Sequence, residues 1–271
     1  MSDSLAFRLR TLAETTSTND EVKHALEGGE PEGLAVRALC QTGGYGRQGR
    51  AWASPEGGLY LSLLLRPQVE VAALPTLSLV TGLAVRRAAA DLLPAEHSDF
   101  VQVKWPNDLV VPEVSLAGWL PEPESDQNAS RLSFRKLCGI SVEVHAGGVC
   151  VGVGVNVQPP AAPTNVAVGG KNVPVYLREL GFEGEVGDVA EAVLRAFAPL
   201  YCTWSSAGFD AFVDEYAAHA ALTGRNVRMV NHAGDVVAQG EVASIDASGR
   251  LILRQPDGAL MSVSSGEARL A

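Results

Sequence analysis

Residues 149–157 read VCVGVGVNV, and few segments restrict a fold more tightly. A strand points successive side chains to opposite faces. Val149, Val151, Val153 and Val155 therefore share one face, and Cys150, Gly152, Gly154 and Asn156 share the other. The valine face has to be core. The opposite face is nearly bare and ends in one amide. Glycine weakens a strand, so two on one face mean that something approaches closely there, either a ligand or another stretch of backbone. Residues 137–144 supply a second apolar run, and Ala146-Gly147-Gly148 joins the two as an antiparallel hairpin.

Strand and helix patterns alternate around this hairpin. Residues 5–12 form an opening strand of alternating polarity. Ser17-Thr18-Asn19-Asp20-Glu21 then starts a helix, with Thr18 and Glu21 spaced as a capping box and Gly28-Gly29 at its end. Residues 34–40 and 59–65 are short apolar strands. Residues 75–93 carry a helical stripe (Leu77, Val80, Leu83, Ala84, Ala88, Leu92) stopped by Pro94. Residues 101–111 read as two strands bent at Pro106-Asn107. Residues 112–134 are polar, acidic and proline-bearing, an exposed loop of disordered character. Helices follow at 188–202, with Asp188 and Glu191 spaced as a second capping box, and at 209–219. After Ala221 the pattern changes. Short strands at 227–230, 236–245, 251–254 and 261–263, separated by turn residues, suggest a small β-barrel. This divides the chain into units 1–220 and 221–271.

With 271 residues, 46% of them hydrophobic, the chain can bury one sizeable core and a second small one. Its formal net charge of −10 argues against a nonspecific nucleic-acid binder. Cys40, Cys138, Cys150 and Cys202 form no CxxC pair and have no metal-ligand spacing with histidine, and read as reduced core residues of a cytosolic protein. The first fourteen residues lack the apolar core of a signal peptide. Arg86, Arg87 and Asp91 interrupt the longest apolar helix, which is therefore not read as a membrane span. A cytoplasmic location without a membrane partner is expected.

Against this acidic background, residues 41–52 (QTGGYGRQGRAW) carry four glycines, two arginines and a tryptophan, and no acid. Glycines let backbone approach a ligand closely, and their N–H groups can form an anion-binding concavity. Arg47 and Arg50 add the planar forks that suit phosphate. Trp52 offers a flat face to a ring. The same residues also suit a solvated loop ending in a buried tryptophan. Lys104-Trp105-Pro106-Asn107-Asp108 puts a base, an aromatic, an amide and an acid into five positions at a strand bend. A turn needs only Pro-Asn-Asp; such density reads as a site rather than as core. Lys136, beside Arg135, begins an apolar strand and alone would be a surface lysine.

Taken in order, Ser17-Thr18-Asn19, the loop from Gln41 to Trp52, the Lys104–Asp108 run, Lys136-Leu-x-Gly139-Ile-x-x-Glu143, Gly152-x-Gly154-x-Asn156 and the terminal Ser265-Gly266-Glu267 resemble the motifs of the bacterial biotin protein ligases. The resemblance covers nearly the whole chain. It implies an α/β (α+β) fold: a mixed-sheet catalytic domain related to class II tRNA synthetases, followed by a small barrel resembling SH3 domains. It implies activation of biotin with ATP and Mg2+ to biotinyl-5′-AMP, then transfer of biotin to one lysine of a carrier domain such as that of acetyl-CoA carboxylase. Arg47, Arg50, Lys104 and Lys136 become the cations that neutralise two anionic reactants. Ser17, Thr18, Asn19 and Gln41 match positions that hold the neutral ureido ring. Gly139, Gly152 and Gly154 give a flat wall for the ligand. Trp52 covers the adenine, Asn156 lies at the adenine end, and Asn107 joins the nucleotide contacts. Gly44, Tyr45 and Gly46 belong to the ligand-binding loop. Asp108 is the candidate to orient or accept the proton of the carrier amine. No metal is held by the protein itself.

Two departures stand out. The family loop usually reads Gly-Arg-Gly-Arg, whereas this chain has Gly44-Tyr45-Gly46-Arg47. Either the adenylate escapes more readily, or a tyrosine contact substitutes for the missing cation. Residues 112–134 are an insertion, either a carrier-docking element or inert. Only sixteen residues precede Ser17, which leaves no room for the winged-helix domain that some members use to bind DNA, so a monofunctional ligase is expected. A lipoate ligase and a catalytically silent biotin-binding protein are the competing readings. Pairing through sheet edges would give a homodimer.

Overall fold

The computed structural model describes residues 5–117, 133–160 and 173–271. Seven strands form one mixed sheet: β1 (Arg8–Thr15), β2 (Leu34–Gln41), β3 (Leu59–Leu65), β4 (Gln102–Lys104), β5 (Asp108–Pro112), β6 (Phe134–His145) and β7 (Gly148–Val155). Their order is β1-β2-β3-β7-β6-β5-β4. Only β1 and β2 run parallel; every other neighbouring pair is antiparallel. The hairpin of β6 and β7 lies next to the middle of this sheet, as its valine pattern requires.

The valine face meets α2 (Leu77–Leu92) and α4 (Val186–Ala207), which pack on each other and on the sheet. Leu59, Leu61, Leu63 and Leu65 face this core, alternating with Tyr60, Ser62 and Leu64 on the other side. Residues 71–92 are long and apolar enough to cross a bilayer, but most of the stretch is buried inside the fold. Helix α1 (Thr18–Glu27) covers one end of the opposite face, where Val22 and Leu26 meet Leu34, Val36, Leu64 and Cys150.

Neither expected capping box forms at the residues the spacing suggested. Ser17, not Thr18, caps α1, accepting a hydrogen bond from the Asn19 amide at 3.3 Å. The Thr18 hydroxyl is turned inward to Gln41 and Ser62, and Glu21 takes hydrogen bonds from Thr15 and Arg10. In α4 the box is Glu185 with Asp188, three residues earlier than the spacing suggested. The 209–219 helix is a 3-10 turn continuing into the short α5 (Val213–Ala218). Residues 112–117 are not loop: Pro112 ends β5 and α3 (Glu113–Leu116) follows, with Glu113 paired to Arg135 at 3.1 Å. The rest of that segment, from 118 to 132, lies outside the described residues.

The C-terminal strands are β8 (Asn226–Val230), β9 (Val236–Ile245), β10 (Leu251–Arg254), β11 (Leu260–Val263) and β12 (Glu267–Leu270). They pair antiparallel in the order β11-β10-β9-β8-β12. Irregularities at Met229/Val230 and Ile252/Leu253 bend the ladder. Strand pairing does not close it: β11 and β12 are its two edges, so the expected barrel is an open antiparallel sheet among the described residues. The sequence reading missed β12 because four residues of mixed polarity carry too little alternation.

One apolar core runs through both sheets. Trp105 is its hinge point. The indole is 3% exposed and its Nε1 donates to the Gly249 carbonyl at 3.0 Å. Val103 bonds through its backbone to His219 and Ala221 beside it. Trp105 is therefore core, contrary to the expectation that the whole Lys104–Asp108 run served a site. Replacing it with Phe removes the donor and leaves a buried carbonyl unpaired. Urea denaturation should show Trp105→Phe less stable by about 1–3 kcal/mol; a loss under about 0.5 kcal/mol would mean that this bond does not hold the seam.

Candidate active site

Strand register lays two rows of residues across the sheet face that α1 leaves open. Ser62, Gly152 and Ser141 are paired neighbours. So are Tyr60, Gly154, Gly139, Asp108 and Lys104. Directly paired residues share a face. The glycines in these rows are seats for side chains. A Cβ at Gly152 would stand 2.4 Å from Asn19 Oδ1 and 2.6 Å from Ser141 Oγ. One at Gly154 would stand 2.8 Å from the Trp52 ring, and one at Gly139 would be 3.0 Å from Trp52 and 3.2 Å from Lys136 Nζ. The expected flat wall is thus not bare. Asn19, Trp52 and Lys136 lie on it, and they line the cleft in turn.

Strict alternation from Gly139 would send Lys136 into the core. Between Leu109 and Val110 of β5 the register of β6 slips by one residue, because Leu109 faces Cys138 and Val110 faces Lys136. Leu137 is the extra residue, and it and Cys138 are both core. This bulge returns Lys136 to the cleft face.

The cleft encloses about 1080 Å³ between the sheet, the glycine-rich loop and the C-terminal strands. One end is neutral and polar. Ser17, Thr18 and Asn19 are buried there at the start of α1. The Thr18 amide donates to Gln41 Oε1 at 2.8 Å, and its hydroxyl shares a 2.7 Å bond with Ser62. Ser62 donates to Asn19 Oδ1 at 2.6 Å. Asn19 Nδ2 donates to Ser141 and to Glu143, each at 3.2 Å. Gln41 donates to Ser54 at 2.8 Å. Sequence reading missed Ser62 and Ser141, and gave Glu143 a place in a motif but no role. The signal was present: single polar residues interrupt apolar strands, on the same face as Gly152.

The other end is cationic. Arg47 Nη1 donates to Asn107 Oδ1 at 2.8 Å, and Asn107 is held by its own bond to the Ile140 carbonyl. Lys136 Nζ stands 2.8 Å from Asp108 Oδ1 and 5.2 Å from the Trp52 ring centre. That carboxylate oxygen accepts no aligned hydrogen bond, so the contact is an ion pair alone. Lys104 donates to the Ala268 carbonyl at 3.1 Å. Burial holds Lys104 and Arg47 below their ordinary pKa values, with Asp108 opposing that fall. Among the described residues, five cations line the cleft (Arg47, Arg50, Lys104, Lys136, Arg269) against the two carboxylates of Asp108 and Glu267. In a chain of net charge −10, this local excess is a built demand for anions. Trp52 Nε1 is buried there and finds no acceptor among the described residues.

Four predicted residues make their contacts within the protein, and two of them, Arg50 and Tyr45, also line the cleft. Arg50 is exposed and reaches β12, donating to Glu267 at 3.0 Å and to Gln48 at 3.2 Å. Asn156 is buried and does not line the cleft; its Nδ2 donates to the Lys136 carbonyl at 2.9 Å. Gly44 packs against Ser54, Gln41 and Trp52 rather than lining the space. Tyr45 turns its hydroxyl to α1, donating to Asp20 at 2.7 Å and accepting from Lys23 at 2.9 Å. Gly46 lines the cleft as expected. Of the cysteines, Cys138 and Cys150 are buried, and burial pushes both thiols up; Cys40 and Cys202 are only half-buried, not core.

The biotin/lipoate A/B protein ligase family model matches residues 11–159, and the model of the biotin protein ligase C-terminal domain matches residues 223–270. The chain belongs to the biotin/lipoate A/B protein ligase family. The biotin–[acetyl-CoA-carboxylase] ligase of Paracoccus denitrificans is 33% identical over 254 residues, covering 91% of this chain and 94% of that protein. The ligase of the same name from Mycobacterium tuberculosis is 32% identical, covering 96% and 88%. Among solved structures, the biotin protein ligase from Aquifex aeolicus in complex with biotin and ATP superposes with a TM-score of 0.76 at 26% identity, covering 97% of this chain and 98% of that one.

Within this member of the family, the glycine seats are open to test by stability alone. Gly152→Ala would force Asn19 off its bed and break its bonds to Ser62 and Ser141. The expected cost is about 1–3 kcal/mol in urea denaturation. A variant as stable as the natural chain would show that Asn19 has room to move.

Proposed function

We propose that this chain is a biotin–[biotin carboxyl-carrier protein] ligase, which activates biotin with ATP as biotinyl-5′-AMP and transfers it to a carrier lysine. One observation carries the reading: a single cleft joins a buried set of neutral donors and acceptors to a corner of Arg47, Lys104 and Lys136. A neutral urea is matched by the first, and a carboxylate meeting a triphosphate by the second.

Ser17, Thr18, Asn19 and Gln41, with Ser62 and Ser141, bind the ureido ring. The biotin carboxylate then points toward Lys136 and Arg47. Two anions repel, so the cations must hold them together while a carboxylate oxygen attacks the α-phosphorus and pyrophosphate leaves. Lys136, placed between Asp108 and the indole face, neutralises the carboxylate and α-phosphate. Lys104 and Asn107 support that corner, and Trp52 covers the adenine from its seat on Gly139 and Gly154. Arg50 reaches the departing pyrophosphate when it leaves Glu267. Gly44 and Gly46 let the loop fold close, and Asn156 fixes the backbone of Lys136. Among the described residues no three His, Cys, Asp or Glu side chains gather into a metal-sized cluster. Mg2+ would be held through the nucleotide's phosphates, where it neutralises charge. In the second step the carrier amine attacks the acyl carbon, AMP leaves, and Asp108 takes the amine's proton once Lys136 has turned to phosphate.

A lipoate ligase would have little use for so many buried hydrogen-bonding groups, since the dithiolane ring of lipoate offers none. A silent binder would have no need of Lys136, Arg47 and Asp108 in one corner. The catalytic unit is taken as 1–220 and the C-terminal unit as 221–271. The partner is the carrier domain of a biotin-dependent carboxylase, the location cytoplasmic, and the net charge of −10 disfavours DNA as a partner. The exposed edge strand β1 is where a homodimer would pair.

Incubation with biotin, MgATP and a biotin carrier domain should add one biotin to the carrier by intact mass. Lys136→Ala should slow this by about 10²–10³-fold. Pyrophosphate exchange into ATP that depends on lipoate instead of biotin would replace this reading with the competing one, and no exchange with either would leave the silent binder.

A further inference from the structure

The contacts of Tyr45 are more extensive than a loop residue needs. Residues 44–52 form a small antiparallel turn: Tyr45 bridges Ala51, the Gly46 amide donates to the Arg50 carbonyl at 2.8 Å, and the Trp52 amide donates to Gly44 at 2.9 Å. Arg47 lies near its tip, beside Gln48 in the left-handed region at φ 61°. Tyr45 is at its root. Its hydroxyl donates to Asp20 Oδ1 and accepts from Lys23 Nζ, while that ammonium also stands 5.2 Å from the ring centre.

Lys23 donates in turn to Glu143 Oε2 at 2.5 Å, and the other oxygen of Glu143 accepts from Asn19. Asn19 and Lys23 are four residues apart and share one face of α1. A chain of hydrogen bonds thus runs from the floor of the neutral pocket to the root of the arginine-bearing turn. Burial opposes the charge on Lys23, yet Glu143 and Tyr45 outweigh it and raise its pKa. Burial pushes the Tyr45 phenol up to about 12, so it stays a donor at neutral pH.

We propose that Tyr45, Lys23 and Glu143 are positioning residues that clamp the arginine-bearing turn to the vitamin pocket, and that this clamp sets how long the acyl-adenylate stays bound. This rests on the reading that the chain makes biotinyl-AMP. A ring that fixes Asn19 also fixes one oxygen of Glu143, which steadies Lys23 and Tyr45. Occupation of the pocket therefore tightens the turn that carries Arg47. The phenol bridges an acid and a base at a position where a cation alone would have met Asp20 and been repelled by Lys23.

Tyr45→Phe keeps the ring over Lys23 and removes both hydroxyl bonds; Lys23→Met removes the bridge to Glu143. With biotin and MgATP but no carrier, free biotinyl-AMP should escape about tenfold faster from each. The KM for biotin should rise more than kcat falls, and the thermal midpoint should stay within about 2 °C. The double variant should be no leakier than the worse single, because the residues act as one unit. Unchanged escape from both single variants overturns the clamp. If the natural chain forms no biotinyl-AMP, the functional reading fails instead. The clamp is then judged by hydrogen exchange of amides 43–52 in the ligand-free protein, which must be faster in Tyr45→Phe; equal exchange overturns it.

Discussion

The cleft depends on close approach between side chains and a sheet surface. Asn19 and Trp52 sit within 3 Å of where a Cβ would stand at Gly152 and Gly154. Any larger residue there would hold them off by the width of a methyl group. Asn19 would then lose Ser62 and Ser141, and the Trp52 ring would lose its seat beside Lys136. Gly154 pairs in register with Gly139 across β7 and β6, so those two positions seat Trp52 together. A sheet usually presents a pleated surface of side chains. Here it presents a bed on which one amide, one indole and one ammonium lie flat.

Charge is arranged on that bed with the same economy. Most of the chain is acidic, yet the cleft holds more cations than carboxylates. Burial costs free energy for each cation, and Asp108 can compensate only part of it. The groups left over, an unaligned carboxylate oxygen and an indole N–H without an acceptor, mark where a reactant would complete the set. The neutral end behaves differently. Its hydroxyls and amides hydrogen-bond one another.

Much of the fold was legible in the sequence. The alternation of valine and glycine set the hairpin, and LYLSLLL marked β3 to the residue. The glycine-rich loop and the Lys104–Asp108 run marked the cleft. Trp105 was misread because an aromatic among polar residues looks like a site, whereas its partners, Gly249 and the strands after Ala221, are remote in sequence. Arg50 reads as a phosphate fork from its charge, and Tyr45 as a loop residue standing where the family has a cation. Their partners within the protein, Glu267 and the Asp20–Lys23 pair, come from elements that only packing brings near.

The sequence by itself determined which residue types would meet anions and which would meet a neutral ring, because charge and hydrogen-bonding capacity belong to the side chain. It also determined which face of each strand was core, since the period of two is local. Tertiary structure alone decided where those side chains point. The bulge at Leu137 turns Lys136 from core to cleft, and no local pattern announces a one-residue slip. The same is true of the contact from β12 to Arg50 and of the path from Asn19 to Tyr45. Arg50 and Glu267 are 217 positions apart and Asn19 and Glu143 are 124 apart, and these contacts exist only once the sheet and α1 have packed.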